Sequence, residues 1–229
     1  MDIRNLLIDR IEFIRQLYAT ASAPYLERKR LIENEEEPFV PPYSEDGEPA
    51  FMSEWMEADD SLHILAYACI SMLSAALRLY FETWENYGIT KTNINSKSLS
   101  KCFKKGYLAG YRAYFEQRLG INLENSPANI QLLEEIILAR NVIQHPSSLH
   151  EIRARFTNCD LKKIPRPIFV SKYEATMFEH SETETGEWFM PPIVHITDTL
   201  LFEAIHEVEK LSEWLDSQIK SKFTARFNQ

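Results

Sequence analysis

The chain has 229 residues, of which 45% are hydrophobic and 12% aromatic, so it can bury the core of one domain. Its formal net charge of -9 disfavours broad, sequence-independent binding of nucleic acid over the whole surface. Only six glycines occur, and neither G-x-x-x-x-G-K-(S/T) nor G-x-G-x-x-G is present, which excludes the common glycine-rich nucleotide-binding loops. The three isolated cysteines fit a reducing cytosol and disfavour a zinc site or a disulfide framework, so we expect neither a metal nor a cofactor.

The first predicted element is a long amphipathic helix from residue 2 to about residue 33. Its apolar side chains recur at steps of three and four residues, which is the spacing of one helix face. Pro24 should kink or interrupt this helix, because proline removes a backbone hydrogen bond. Residues 34–54 then hold four prolines, six Glu and one Asp, which indicates an irregular acidic loop. The apolar stripe of the helix consists of Ile3, Leu7, Ile11, Ile14 and Tyr18.

The second predicted helix runs from about Glu54 to Tyr87, with Ser53 as its N-cap and Gly88 as its stop. It is apolar around most of its circumference between residues 62 and 81, which is about the length of a membrane span. The polar and charged side chains within that stretch favour the central helix of a soluble bundle instead. The charged N-terminus lacks the apolar core of a signal peptide, so we expect a soluble, cytoplasmic protein without membrane contact.

A third helix is predicted from about Ser98 to Leu119, within a locally basic segment. From Lys91 to Gly120 the sequence has seven basic residues and one acidic residue, a charge of +6, whereas the remainder carries -15. Such a basic surface on an acidic body favours binding of one RNA strand. The candidate RNA-binding residues are Lys101, Lys104, Lys105 and Arg112. The aromatic side chains of this segment either stack on unpaired bases or fill the core: Phe103, Tyr107, Tyr111, Tyr114 and Phe115.

The fourth helix is predicted to begin at Ser126, which acts as N-cap before a first-turn proline. It should end at Pro146, because a proline disfavours the helical conformation of the residue before it. Residues 150–196 then indicate an irregular insertion that contains a small β-hairpin, with its turn at residues 182–186.

A last amphipathic helix is predicted from about Asp198 to Phe223, with Thr197 or Asp198 as its cap. The predicted fold is therefore mainly α. Residues 1–229 should form one domain, a four- to five-helix bundle with the acidic loop near its start and the small β-hairpin insertion before the last helix.

The fourth helix ends in the most informative sequence of the chain, Arg140-Asn141-Val142-Ile143-Gln144-His145. Arginine presents a permanently charged fork of donors to a phosphate, and histidine exchanges protons near neutral pH. These are side chains that can cut RNA without a metal ion. The arrangement resembles the Arg-polar-x-x-x-His signature of the HEPN superfamily (higher eukaryotes and prokaryotes nucleotide-binding), many of whose members are helical endoribonucleases. A basic helix end that only offsets the helix dipole is the alternative.

The resemblance implies a metal-independent endoribonuclease in which a ribose 2′-hydroxyl attacks the adjacent phosphate. His145 would move the proton, Arg140 would stabilise the charge of the phosphate, and Asn141 would orient His145 or the phosphate. The resemblance also implies a toxin or defence effector, with RNA as substrate and an antitoxin or other protein as partner. A non-catalytic HEPN-like module that binds a nucleotide or a protein is the alternative function.

The spacing of the motif bears on oligomeric state. On an ideal helix Asn141 and His145 share a face, whereas Arg140 points about 140° away from His145. Either the backbone leaves the helix before Pro146, or two copies combine their groups across a symmetric interface. What is known of HEPN nucleases favours the second arrangement, and the first two helices offer more apolar face than a small bundle needs. We therefore predict a homodimer whose interface contains the end of the fourth helix.

The other histidines are expected to have structural roles. His63 lies in an apolar helix and is predicted to be a hydrogen-bonded core residue. His180 and His195 flank the predicted hairpin and could pair across its strands. His206 lies among acidic residues of the last helix and is predicted to be on the surface.

Overall fold

The computed structural model describes residues 2–42, 49–86, 96–146, 151–164, 166–180 and 190–227. Within these ranges the chain forms eight α-helices and one short 3₁₀-helix, which confirms the mainly α class. One continuous hydrophobic core joins the long helices to the segment that precedes the last helix. Two predicted features lie outside the described residues, namely the helix stop at Gly88 and the turn at residues 182–186.

Helix α1 spans Ile3–Glu33, close to its predicted bounds. Asp2 caps it, because its side chain accepts the amide proton of Asn5 at 3.3 Å. The helix continues through Pro24 rather than ending there. The apolar stripe that was predicted to face the core is buried: Ile3, Leu7, Ile11, Ile14 and Tyr18.

Helix α2 (Met52–Asn86) runs antiparallel to α1 and is the central helix of the bundle. The end of α1 lies beside the start of α2, where Lys29 binds Asp59, and the start of α1 lies beside the end of α2, where Ile3 and Thr83 line one groove. Later helices cover further faces of α2. By length and composition alone α2 is apolar enough to cross a membrane, and 56% of its most apolar window is buried inside the bundle. The cytoplasmic location stays a prediction.

The predicted third helix is two helices, α3 (Ser96–Phe103) and α4 (Tyr107–Leu119). The chain turns between them at Gly106, whose φ of 141° is rarely adopted by other residues. Gly110 then lets α3 pack closely on α4, because a Cβ atom at this position would lie 2.2 Å from the ring of Phe103. Three of the aromatic side chains considered for base stacking fill the core instead: Tyr111, Tyr114 and Phe115.

Helix α5 (Ile130–Gln144) carries the motif at its C-terminal end. A short 3₁₀-helix (Leu123–Asn125) precedes it, so that Asn129 rather than Ser126 is the N-cap. The Asn129 side chain accepts the amide proton of Leu132 at 3.1 Å. The helix ends before Pro146, as predicted, and packs against α2 and the last helix.

Between α5 and the last helix the described residues form two short helices, α6 (Asn158–Leu161) and α7 (Lys172–His180). The predicted β-hairpin is not confirmed. In the described part of this insertion the β structure is a single antiparallel bridge between Arg155 and Ile193. The β-prone residues of the insertion instead pack into the core of the bundle as irregular chain, where tertiary contacts override local propensity.

Helix α8 (Asp198–Phe227) completes the bundle and packs against α1, α2 and α5. Thr197 caps it, as predicted, by accepting the amide proton of Leu200 at 3.2 Å. Two tyrosine hydroxyls of α2 attach α8 and the chain before it to the central helix. Tyr67 donates to the carbonyl of Val194, and Tyr80 donates to a carbonyl of α8. The insertion is therefore fixed to the central helix at the point where α8 begins.

Candidate functional site

The motif residues lie where α5 ends. His145 is the C-cap residue, and its backbone leaves the helix with φ of -127° and ψ of 64°. Its amide donates to the carbonyl of Asn141 at 3.1 Å, and its side chain is exposed. The side chain of Arg140 contacts that of the next residue, because its Nη1 donates to Oδ1 of Asn141 at 3.0 Å. Of the two arrangements that the spacing left open, the structure shows the first, in which the backbone of His145 leaves the helix before Pro146.

Asn141 and His145 line the same cleft, which has a volume of about 340 Å³ and which we call the His145 cleft. Arg140 is not part of the cleft lining but reaches its edge through the hydrogen bond to Asn141. On its other side Arg140 is close to Tyr107. Burial raises the pKa of Tyr107 to about 12, and the nearby positive charge of Arg140 opposes that rise. The structure therefore brings Asn141 and His145 together and places Arg140 beside them.

The opposite wall of the His145 cleft comes from the insertion. It carries two arginines, Arg153 and Arg155, and the capping pair of α6, in which Asp160 accepts from the backbone and hydroxyl of Thr157. Helix α5 and the insertion thus enclose a space within the volume range of small-ligand pockets, with a histidine on one wall and, on the other, two arginines together with the carboxylates of Glu151 and Asp160.

Arg153 is neutralised by acidic residues of α2. Its guanidinium donates to Asp60 at 2.7 Å and to Asp59 at 2.6 Å. Asp59 also accepts from Lys29 at 2.5 Å. Burial would raise the pKa of Asp59, but the hydrogen bonds from Lys29 and Arg153 outweigh it and lower that pKa. Arg153 therefore ties the insertion to α2 and has no spare charge for a ligand.

Arg155 differs from Arg153 in its partners. Its Nη1 donates to the carbonyl oxygen of Pro191 at 2.5 Å, and no carboxylate among the residues that the structure describes pairs with it. The side chain is half-buried in the cleft wall. A positive charge held in place by a neutral carbonyl remains available to an anion.

Two histidines form a pair directly behind Arg153. His63 is buried, as predicted, and its Nε2 lies 3.0 Å from Nδ1 of His195. Because Nδ1 of His63 faces the carbonyl oxygen of Asp59 at 2.9 Å, this nitrogen carries the proton, and Nε2 accepts from His195. Burial and the neighbouring His63 lower the pKa of His195, which favours the neutral form. His195 thus pairs with α2; the side chain of His180, its predicted partner, lies outside the described part of the chain.

The predicted RNA-binding residues have different surroundings. Lys101, Lys104 and Lys105 are exposed. Lys105 also lines a second cleft of about 240 Å³, which shares Asn141 with the His145 cleft and includes Lys163. Arg112, in contrast, forms ion pairs with Glu124 and Glu134, the latter at 2.8 Å. The charge of Arg112 is compensated within the protein, which leaves the lysines as the better candidates for contact with RNA.

Residues that contribute to the site but were not predicted from sequence are Arg155 and Lys163. They follow His145 by 10 and 18 residues, and each is brought to the motif by the insertion folding back on α5. The Pro-rich, β-prone composition of residues 150–196 signalled an unusual segment but not which of its side chains would face the motif. Among the described residues, no group of three or more His, Cys, Asp or Glu side chains could hold a metal ion.

A scan against protein-family models found no matching family, and searches of curated proteins and of solved structures found no matching relative. The HEPN resemblance therefore depends on the motif, its place at the end of a bundle helix and the residues around it.

Proposed function

We propose that this protein is a HEPN-type endoribonuclease that cleaves RNA without a metal ion. The observation that carries the proposal is the placing of Asn141 and His145 in one cleft, with Arg140 bound to Asn141 at its edge. The exposed imidazole of His145 can reach a substrate, and a volume of about 340 Å³ lies in the range of pockets that hold a small ligand such as one nucleotide. The exposed lysines beside the second cleft provide a path for the rest of the strand.

The proposed reaction is an intramolecular transfer of the phosphoryl group. His145 takes the proton of a ribose 2′-hydroxyl, and the 2′-oxygen forms a bond to the adjacent phosphorus. The bond from phosphorus to the 5′-oxygen breaks as that oxygen takes a proton from a water molecule in the open cleft. Arg140 stabilises the negative charge that builds on the phosphate oxygens, and Asn141 holds Arg140 in position. The products are a 2′,3′-cyclic phosphate and a 5′-hydroxyl.

Cleavage of a single-stranded RNA in EDTA tests the proposal. We expect cleavage by the wild-type chain, products that end in cyclic phosphate and 5′-hydroxyl, and no cleavage when every 2′-hydroxyl is replaced by 2′-O-methyl, because the nucleophile is then blocked. Activity that requires an added metal ion, or that cuts the 2′-O-methyl strand, would contradict the mechanism. Binding without cleavage would instead support the non-catalytic module, which the net charge of -9 also favours.

We further propose that the active form is a homodimer. Exposed apolar side chains of α1 and α2 flank a groove of about 680 Å³, an arrangement typical of an interface. Helix α2 also reaches the motif region on another side, where the backbone carbonyl of the buried Ser74 accepts from Tyr107 next to Arg140. The exposed apolar side chains are Leu6, Phe13, Met72 and Leu79.

Light scattering at micromolar concentration should give about twice the chain mass of 26.8 kDa. Phe13→Asp should return the mass to that of a monomer, because it places a charge in the apolar contact. Tyr173→Asp is the matched control: Tyr173 is 73% exposed and lies on α7, away from the groove. A wild-type mass near 26.8 kDa would reject the dimer.

A further inference from the structure

The backbone on both sides of Arg155 is fixed to the chain that precedes α8. Arg155 forms the antiparallel bridge with Ile193, and two hydrogen bonds flank it, from the Phe156 amide to the Pro192 carbonyl at 3.0 Å and from the Val194 amide to the Ala154 carbonyl at 2.8 Å. Phe156 and Val194 are buried in the core. In extended chain successive side chains point to opposite sides, so the burial of Phe156 directs Arg155 toward the cleft.

Arg155 forms no ion pair within the described residues, although the carboxylates of Glu151 and Asp160 line the same cleft. Arg153 and Arg112 each pair with two carboxylates, whereas the contact of Arg155 is the Pro191 carbonyl. A carbonyl can orient a guanidinium without neutralising it. The other N–H donors of this planar group form a fork that matches the oxygen atoms of a phosphate.

Arg155 shares its cleft with the two motif residues that the proposed chemistry uses there, Asn141 and His145. Helix α5 provides the proton-transfer group on one wall, and the rigid bridge provides the cation on the other. If an RNA strand binds between the two walls, Arg155 would balance the negative charge of a phosphate on the wall opposite the motif.

We propose that Arg155 is a second phosphate-binding residue, which holds a backbone phosphate of single-stranded RNA across the cleft from His145. This inference rests on the proposed function for the identity of the ligand. It adds a binding residue from the insertion to the three of the motif, and it gives the insertion a role in substrate binding.

Binding can be measured without cleavage by fluorescence anisotropy with a labelled 2′-O-methyl RNA strand. Arg155→Ala should raise Kd about 10-fold or more, because a charge-assisted hydrogen bond is lost. It should also reduce the slope of log Kd against log salt concentration by about 0.7, the contribution of one phosphate contact on a single strand. Arg155→Lys should retain the slope and lose only part of the affinity, because it keeps the charge but not the fork.

Arg166→Ala is the matched control, because it removes the same charge from an exposed position away from the cleft. It should leave both Kd and the salt slope close to wild type. An equal effect of Arg155→Ala and Arg166→Ala, or an unchanged salt slope in Arg155→Ala with native circular dichroism, overturns the proposal, as does failure of the wild-type chain to bind the strand.

The two proposals fail in different ways. Wild-type chain that binds the 2′-O-methyl strand through Arg155 but does not cut normal RNA supports the phosphate site and rejects the nuclease. The opposite result is that the wild-type chain cuts RNA in EDTA and that Arg155→Ala binds and cleaves RNA equally well. This result supports the nuclease and rejects the role of Arg155.

Discussion

Replacing His145 with alanine is expected to slow RNA cleavage by about 100- to 10,000-fold, the usual contribution of a general acid–base group. The variant loses the group that accepts the 2′-hydroxyl proton, while the phosphate contacts of the arginines remain. Folding should not change, because the His145 side chain is exposed and its backbone amide still donates to Asn141. The single-turnover rate with saturating enzyme isolates this effect from binding.

His206→Ala provides the control for the loss of an exposed imidazole. His206 lies on α8 and faces Glu209 at 3.7 Å, so its removal changes the same chemical group away from the cleft. This control should cleave RNA at the wild-type rate. Free imidazole should also restore part of the activity of His145→Ala, since the cleft is open to solvent. A His145→Ala chain that cleaves as fast as wild type would show that another residue moves the proton.

The long helices were predictable because each buries a wide apolar face whose period is visible in the sequence. Helices α1, α2 and α8 begin within a few residues of their predicted starts. The break between α3 and α4 was missed, because the basic and aromatic pattern continues across Gly106. The chain turns at Gly106, whose φ of 141° allows Phe103 to pack on Gly110. A glycine is a local signal of such a break, and the prediction gave it less weight than the continuing pattern.

The motif at the end of α5 was found from sequence because its residues are consecutive. The rest of the site is non-local. His63 and His195 are 132 residues apart, and no pattern within either segment indicates that they meet. Arg112 was predicted as an RNA contact from the positive charge of its segment. That charge does not reveal its carboxylate partners in the fold, Glu124 and Glu134. Charge counts thus predict where cations are, and the fold decides which of them remain available.

Glu135→Ala is expected to lower the free energy of unfolding by about 2–5 kcal/mol, because it leaves two buried amide groups without an acceptor. The Glu135 side chain is fully buried in α5 and accepts the amide protons of Ile168 at 2.8 Å and Phe169 at 2.5 Å. These bonds attach the insertion to the motif helix. Urea denaturation at neutral pH, followed by circular dichroism, measures the loss.

Glu134→Ala is the neighbouring control. Glu134 is partly exposed and pairs with Arg112, so its removal should cost less than about 1 kcal/mol, as for most surface ion pairs. Glu135→Gln should fall between the two, because one amide oxygen still accepts a hydrogen bond while the amide nitrogen cannot. Equal stabilities of Glu135→Ala and Glu134→Ala would mean that water replaces the lost carboxylate.

The stability of the protein should also depend on pH through Glu135. Burial raises the pKa of Glu135 to about 7 from its ordinary value of 4.5, although the two backbone hydrogen bonds oppose the rise. Between these two values the folded chain keeps a proton that the unfolded chain has released, so the contribution of Glu135 to stability falls as pH increases. Glu135→Gln does not titrate and serves as the reference. Relative to it, the free energy of unfolding of the wild type should increase by about 2 kcal/mol when the pH is lowered from 8 to 5. Parallel urea titrations of the two chains at both pH values measure that gain, and a difference that stays constant with pH would show that the buried carboxyl ionises at its ordinary pKa.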